Sequence, residues 1–402
     1  MSPPLFAKPP HSVSADGALS QFNVSISDDQ IQNLKTLLKL VPIAAPNYEN
    51  SQDDRRFGSP RQWLVDSVDY WQNKFDWRKQ EAEINTVPHF KYDVRDDDGH
   101  TYTIHFAALF SEKKDAVPLL MPHGWPGSFI EYLPILLAQR EKYASAPDTL
   151  PYHLIAPSLI GYGFSSPPPI NKDFVPADNS RLLHKMMLGL GFGQSGYIIQ
   201  GGDVGSFLAE ASFSTYDEVK AIHLNLYLGD GKSDPSRTKE PLDEQAAESA
   251  EKFRTVGMAY AMLHATKPST AGFSVGSSPT SLLAWIGEKM IDWSDPETRP
   301  SLDTILTNVS IYWFTGTYPT SLWPYRSIFS PSRPNHHTTN GKPKAVSWFP
   351  REMVTLPKAV IKEDPAVTHF YAHEKGGHFA ALEVPELLWA DLEDFVAKVW
   401  KK

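Results

Sequence analysis

Residues 197–205 have the sequence Tyr-Ile-Ile-Gln-Gly-Gly-Asp-Val-Gly, and they carry the strongest indication of architecture in this chain. The mostly apolar first half is typical of a buried strand, and the second half has the form G-x-nucleophile-x-G, in which a strand turns sharply into a helix. Small residues flank Asp203 because such a turn is crowded. Phe207, Leu208 and Ala211 follow at helical spacing and supply the helix that this motif requires. The stretch predicts a strand-turn-helix unit that presents Asp203; a plain glycine-rich turn with a helix-capping aspartate is the alternative.

Strands and helices alternate on both sides of this unit. Further strand patterns lie at 117–121, 154–156, 222–228, 345–349 and 367–371. Helical patterns separate several of these strands, and a final amphipathic helix is predicted from Pro385. Since this alternation is typical of βαβ units, we expect an α/β fold with a mostly parallel sheet and helices on both faces.

The alternation is interrupted between residues 231 and 330. That region shows three patterns of helical length, many aromatic residues and no convincing strand. We therefore expect an N-terminal extension (1–115) packed on the core, a first part of the core (116–230), a helical lid (231–330) and a second part of the core (331–402).

The N-terminal extension has recognisable elements of its own. Residues 1–20 are polar and rich in proline, which indicates an extended arm. One helix is predicted to open at Ser27, which forms a capping-box pattern with Gln30, and another at Ser59-Pro60. A hairpin is expected to pair residues 90–94 with residues 102–109 across an acidic turn.

Composition excludes several classes of function. The 402 residues include 38 Lys and Arg against 47 Asp and Glu, so the formal net charge is −9 and no basic surface for nucleic acid is indicated. No apolar run approaches the ~18 residues that span a bilayer, and no signal peptide is apparent. The absence of cysteine excludes disulfides, thiolate metal sites and cysteine nucleophiles. We expect a soluble cytoplasmic protein that binds neither nucleic acid nor membrane.

An aspartate at the centre of the turn indicates which chemistry is feasible. A serine that displaces a group at saturated carbon would form an ether, which water cannot readily cleave. A carboxylate forms an ester instead, and water can attack the acyl carbon of that ester. Asp203 therefore favours cleavage of carbon–oxygen or carbon–halogen bonds at sp³ carbon.

The second step needs a base and an acid that orients it. His378 lies in Gly376-Gly377-His378-Phe379, after the last predicted strand, where α/β hydrolases carry their histidine. His373 is the nearest rival, but no small residues flank it. Glu352 follows the strand ending at Phe349 and is the candidate acid.

Backbone donors for the oxyanion are predicted at two positions. His123-Gly124-Trp125-Pro126 follows a strand and fits an oxyanion-hole loop, so the Trp125 N–H is expected to join the Val204 N–H. An ordinary turn with a packed tryptophan is the alternative for this loop.

Taken together, these motifs resemble the epoxide hydrolases of the microsomal type within the α/β-hydrolase fold, and most of all their soluble fungal members. The similarity covers nearly the whole chain. It includes the matches at 71–85, 123–128, 161–165, 201–203, 349–352 and 376–379. One departure is Val204, because many relatives carry tryptophan after the nucleophile, so one wall of the pocket is smaller here.

The resemblance implies a reaction and roles for particular residues. Asp203 would attack the epoxide, His378 oriented by Glu352 would activate water, and no metal or organic cofactor would be needed. Two lid tyrosines of the family match Tyr260 in Ala259-Tyr260-Ala261-Met262 and Tyr325 in Pro324-Tyr325-Arg326, which would donate hydrogen bonds to the epoxide oxygen.

The expected partner is a small-molecule epoxide that is converted with water to a vicinal diol, and a homodimer is kept as one option for the assembly. Two alternatives stay open. A haloalkane dehalogenase shares the aspartate but needs halide-binding donors in place of paired tyrosines. A non-catalytic binding protein of the same fold would not need the intact set of catalytic candidates.

Overall fold

The computed structural model describes residues 5–10, 13, 19–229, 241–328 and 341–401. Its strands are β1 (Leu19–Phe22), β2 (His89–Arg95), β3 (Thr101–Leu109), β4 (Val117–Leu120), β5 (Tyr152–Pro157), β6 (Tyr197–Gly201), β7 (Val219–Leu224), β8 (Lys344–Trp348) and β9 (His369–Ala372). The helices before the insertion are α1 (Asp28–Leu40), α2 (Arg61–Asn73), α3 (Trp77–Ile84), α4 (Leu133–Lys142), α5 (Pro176–Met187) and α6 (Asp203–Thr215). The later helices are α7 (Pro241–Lys252), α8 (Ala259–Thr266), α9 (Pro268–Val275), α10 (Pro279–Asp292), α11 (Leu302–Thr315), α12 (Trp323–Ile328), α13 (Lys358–Glu363), α14 (Ala380–Glu383) and α15 (Pro385–Val399).

The strands form one sheet with the order β1-β2-β3-β5-β4-β6-β7-β8-β9. The pairs β1/β2, β2/β3 and β3/β5 are antiparallel, and every pair from β5/β4 to β8/β9 is parallel. The predicted mostly parallel sheet is therefore confirmed. In such a sheet the carboxyl ends of β6, β8 and β9 lie along one edge, and ligands bind outside that edge.

Helices pack on the sheet in two groups. α5 and α6 contact each other and also contact β2, β6 and β7, whereas α4, α14 and α15 contact one another and strands β3, β7 and β8. Because these helices cover the parallel strands, β5 and β6 are buried along their whole length.

Six helices, α7 to α12, lie between β7 and β8 among the described residues, where three were expected. The reason is that several helices here are short, and the helical spacing of apolar residues continues across their boundaries, so that neighbouring helices were predicted as one. Prolines open α9 and α10, and Gly316 ends α11 in a left-handed conformation. The expected boundaries of this insertion at 230/231 and 330/331 lie outside the described residues.

The predicted elements of the N-terminal extension are present. Ser27 and Gln30 form the capping box of α1, α2 follows Pro60, and β2 pairs with β3 as the expected hairpin. Leu19 and Ser20, expected in the arm, belong instead to β1, and the arm residues 1–4, 11–12 and 14–18 lie outside the described residues. Trp71, Phe75 and Trp77, in and between its helices, are buried in the same apolar cluster as the sheet.

Several predicted strand boundaries are wrong by one to four residues. β7 ends at Leu224, so residues 225–228, expected in this strand, form an irregular segment, and β9 starts two residues later than expected, at His369. The irregular segment is apolar because it faces a cavity at the end of the sheet: Leu226 and Leu228 line that cavity.

Candidate active site

Asp203 stands at the sharp turn between β6 and α6. Its backbone has a φ of +45°, a left-handed conformation that residues other than glycine rarely adopt. The neighbouring glycines are required by close packing. A Cβ added at Gly201 would collide with the Gly205 carbonyl oxygen, and one added at Gly205 would collide with the Pro122 carbonyl oxygen. The turn therefore holds the nucleophile candidate in a fixed, strained position, as such turns do.

The two oxygens of the Asp203 carboxylate have different surroundings. Oδ1 accepts a hydrogen bond of 2.7 Å from the Trp125 backbone N–H. Oδ2 lies 3.5 Å from Nε2 of His378. The loop can approach this closely because residue 124 is glycine, since a Cβ there would collide with the Asp203 side chain. The Val204 N–H lies in the first turn of α6, where backbone donors have no partner within the helix.

His378 is bound on its other side by Glu352. Nδ1 of His378 lies 2.8 Å and 3.0 Å from the two carboxylate oxygens of Glu352, and both side chains are buried. Burial lowers the pKa of His378, but the carboxylates of Glu352 and Asp203 raise it, and the net pKa lies well above its usual value. The structure thus brings together the three side chains that the sequence predicted as nucleophile, base and acid.

His373, the rival base, faces elsewhere. Its Nε2 lies 2.7 Å from Oδ2 of Asp391, and its ring stacks on Phe349. Asp391 also accepts a hydrogen bond from Ser347. The contact between His373 and Asp391 ties α15 to the end of β9.

The two predicted tyrosines meet above the cavity that Asp203 lines. The hydroxyl oxygens of Tyr260 and Tyr325 are 3.4 Å apart, and both side chains are buried. The Trp125 ring stacks on Tyr260, with centroids 5.2 Å apart, and so links the oxyanion loop to the inserted helices. Burial raises the pKa of both phenols above the usual 10.0, and the Asp203 charge raises it further. Both hydroxyls therefore stay protonated near neutral pH.

Asp203, Tyr260 and Tyr325 line one cavity of about 450 Å³. Its other walls are mainly apolar and include Val204, Phe207, Leu226, Phe253, Met258, Met353 and Leu356. Glu251 and Arg254, which also line it, form an exposed ion pair with each other. The cavity suits a small apolar molecule.

Several neighbours of the site were not predicted from the sequence. The Trp293 ring packs edge-to-face on His378, with centroids 5.2 Å apart. Glu131 lies beside Gly127 and carries a pKa that burial raises to about 8. No sequence signal marks Trp293. Glu131 lies only five residues after Pro126, and this closeness to the oxyanion motif is the signal that indicates it.

Within the described ranges, no cluster of three or more His, Asp or Glu side chains is arranged to hold a metal ion. Over the same part of the chain, no helix is both long and apolar enough to cross a membrane.

Comparison with known proteins gives consistent matches. Residues 19–132 match the family model of the epoxide hydrolase N terminus, and residues 117–292 match that of the α/β-hydrolase fold, which confirms the predicted fold class. The structure is similar to Aspergillus niger epoxide hydrolase, with a TM-score of 0.90 and 44% identity over 98% of this chain and 100% of that chain.

Curated sequences agree with the structural match. A provisionally named epoxide hydrolase of Dothistroma septosporum is 40% identical over 380 residues, which are 94% of this chain and 89% of that protein. Epoxide hydrolase 1 of Oryctolagus cuniculus is 32% identical over 423 residues, with 96% of this chain and 90% of that protein covered. Because these relatives match nearly the whole chain, and because Asp203, His378 and Glu352 lie together, the chain belongs to the epoxide hydrolase family of the α/β-hydrolase fold.

Proposed function

We propose that the protein hydrolyses an epoxide to a vicinal diol through a covalent ester on Asp203. The observation that carries this proposal is the shared cavity: a carboxylate and two buried phenol hydroxyls line the same apolar space, and a His–Glu pair lies in contact with the carboxylate. A carboxylate can open the ring only if the departing oxygen is stabilised, and the phenols are donors suited to that task.

Ring opening is the first step. Oδ2 of Asp203 is free of the hydrogen bond that holds Oδ1, so it attacks the less hindered epoxide carbon. Tyr260 and Tyr325 donate hydrogen bonds to the epoxide oxygen as negative charge develops on it. The product is an ester whose carbonyl oxygen, Oδ1, already accepts the Trp125 N–H.

Hydrolysis of that ester is the second step. Ester formation removes the negative charge of Asp203, which is one of the charges that raise the pKa of His378. The imidazole therefore gives up its proton more readily, to the alkoxide that ring opening leaves. It can then accept a proton from water, while Glu352 orients the ring through Nδ1. The oxyanion that forms is stabilised by the N–H groups of Trp125 and Val204. When it collapses, the bond between the acyl carbon and Oδ2 breaks, and the imidazolium returns its proton to Oδ2, which leaves with the diol.

The cavity indicates the class of substrate. Its size and its apolar walls favour an epoxide with apolar substituents, and the small Val204 leaves room beside the nucleophile. The inserted helices act as the lid, because they contribute both tyrosines. The cytoplasmic location and the homodimer stay predictions; light scattering after size exclusion checks the second.

Turnover of styrene oxide and of aliphatic epoxides, measured as diol formed, tests the proposed function. We expect diol from at least one apolar epoxide and no halide from 1-haloalkanes. Halide release without diol would favour the dehalogenase, and no turnover of either class would favour the binding protein.

Tyr260→Phe and Tyr325→Phe should each slow ring opening. Each substitution removes one hydrogen bond to the developing alkoxide. By analogy with the removal of an oxyanion-hole donor, this costs ~2–4 kcal/mol of transition-state stabilisation. Rapid-quench measurement of ester formation gives the rate constant. Tyr318→Phe is a matched control, because its hydroxyl binds His264 and does not line the cavity. A variant that forms ester at the wild-type rate would remove that tyrosine from the mechanism.

The two steps should respond differently to pH. Because burial raises the pKa of both phenols, their protons are retained, and ring opening should not slow between about pH 7 and about pH 10. Ester hydrolysis needs neutral His378, so it should slow as the pH falls through the pKa of that group. Rapid-quench rates across this range test both expectations, and a ring-opening rate that falls on the alkaline side would contradict the first.

A further inference from the structure

The loop that carries His378, residues 376–379 (the base loop), is hydrogen-bonded to the segment that follows α10 within the insertion. The Gly376 N–H donates to Oδ2 of Asp295 at 2.8 Å, and the His378 N–H donates to the Trp293 carbonyl oxygen at 3.0 Å. The two segments are in close contact, since a Cβ added at Gly377 would lie 2.8 Å from that same oxygen. The base is therefore held by the inserted segment as well as by the sheet.

Glu383, in α14, bridges the two segments. Its Oε1 accepts the Phe379 N–H at 2.9 Å, and its Oε2 accepts the Asp295 N–H at 2.8 Å. Oε2 also accepts the Thr298 hydroxyl at 3.2 Å. One buried carboxylate thus fixes the residue after His378 and the residue that binds Gly376.

A carboxylate in this position carries an electrostatic cost. Only 8% of Glu383 is exposed, and burial raises its pKa to about 7 although hydrogen bonds from Asp295, Phe379 and Thr298 lower it. An apolar side chain would avoid this cost but would leave two buried N–H groups without an acceptor.

We infer that Glu383 is a positioning residue that holds the base loop so that Nε2 of His378 can activate water on the Asp203 ester. This inference rests on the proposed function. Ring opening depends on Asp203 and the two tyrosines, none of which Glu383 contacts, whereas hydrolysis depends on where His378 stands. Since small displacements of a catalytic group can slow a reaction by about 10²-fold, loss of Glu383 should affect hydrolysis selectively.

Glu383→Gln tests the inference, because its amide keeps the shape of the side chain but can accept at only one of the two bridging oxygens. With styrene oxide and rapid-quench mass spectrometry, we expect ester formation within about twofold of wild type and ester decay slower by about 10-fold or more. In steady state, kcat and KM should fall together, with kcat/KM nearly unchanged. A merely structural loss of folded enzyme would lower kcat at constant KM.

Thr298→Val is the matched control. It removes the third donor to Glu383 but leaves both N–H bonds, so both steps should keep their wild-type rates. If Glu383→Gln does not fold, Asp295→Ala tests the same inference, because it removes the acceptor of the Gly376 N–H.

The outcomes separate the two proposals. Ester decay at the wild-type rate in the folded variant, or an equal slowing of both steps, would overturn the positioning role and leave the proposed function intact. Wild-type enzyme that forms no ester would overturn the proposed function and this inference with it.

Discussion

His378→Ala should consume about one epoxide per active site and then stop. Alkylation needs only Asp203 and the tyrosines, so the ester should form, but without a base its hydrolysis should slow by ~10²–10⁴-fold. The stalled enzyme should be heavier by the mass of the substrate, and the added mass should lie on the peptide that contains Asp203. Intact-protein and peptide mass spectrometry detect both.

His373→Ala is the control for this experiment. It also removes a histidine from the end of β9, but that histidine is paired with Asp391 and not with Asp203. The folded control should turn over many epoxides per site. A stalled adduct in the His373 control, or no adduct in the His378 variant, would show that His378 is not the base.

Asp203→Ala should show neither a burst nor an adduct, and turnover should fall by ~10⁴–10⁶-fold, since loss of a nucleophile removes the covalent route altogether. Wild-type enzyme in ¹⁸O-water complements this variant. In a single turnover, water attacks the acyl carbon and the Asp203 oxygen leaves with the diol, so the label should appear first in Asp203.

Direct attack of water on the epoxide predicts the opposite distribution. His378 would then activate water toward the ring carbon, and label would enter only the diol. The ester mechanism is falsified if Asp203 stays unlabelled in the wild type while the His378 variant gives no adduct.

Local sequence was enough to predict the elements that determine the site. The strand and the glycine-rich turn around Asp203, and the small residues beside His378, follow from short-range sterics that a motif records directly. The division of the insertion into separate helices was harder to predict from the sequence. The helical spacing of apolar residues continues past Pro268 and Pro279, although a new helix begins at each of these prolines. The strand β1 was not anticipated, since four residues with two polar side chains show no pattern until they pair with β2.

Long-range contacts account for what the sequence did not indicate. Trp293 packs on His378 although it lies 85 residues before it in the chain. Glu383 binds the residue after His378 from a position just beyond the last predicted motif. Neither a tryptophan nor a glutamate is unusual at these positions. The tyrosines were found only through family resemblance, because nothing near Tyr260 or Tyr325 marks a hydroxyl that will face a distant carboxylate. The roles of such residues depend on contacts that form only when distant parts of the chain come together.

The unequal hydrogen bonding of the Asp203 oxygens has a consequence for the origin of atoms in the product. Trp125 keeps Oδ1 in place, so in the proposed ester mechanism only Oδ2 is replaced by an oxygen from water. Each diol then carries an oxygen that the enzyme took from water in the previous cycle. One oxygen of the Asp203 carboxylate is thus replaced in every catalytic cycle. The other, Oδ1, remains the atom that the aspartate carried when the protein was synthesised.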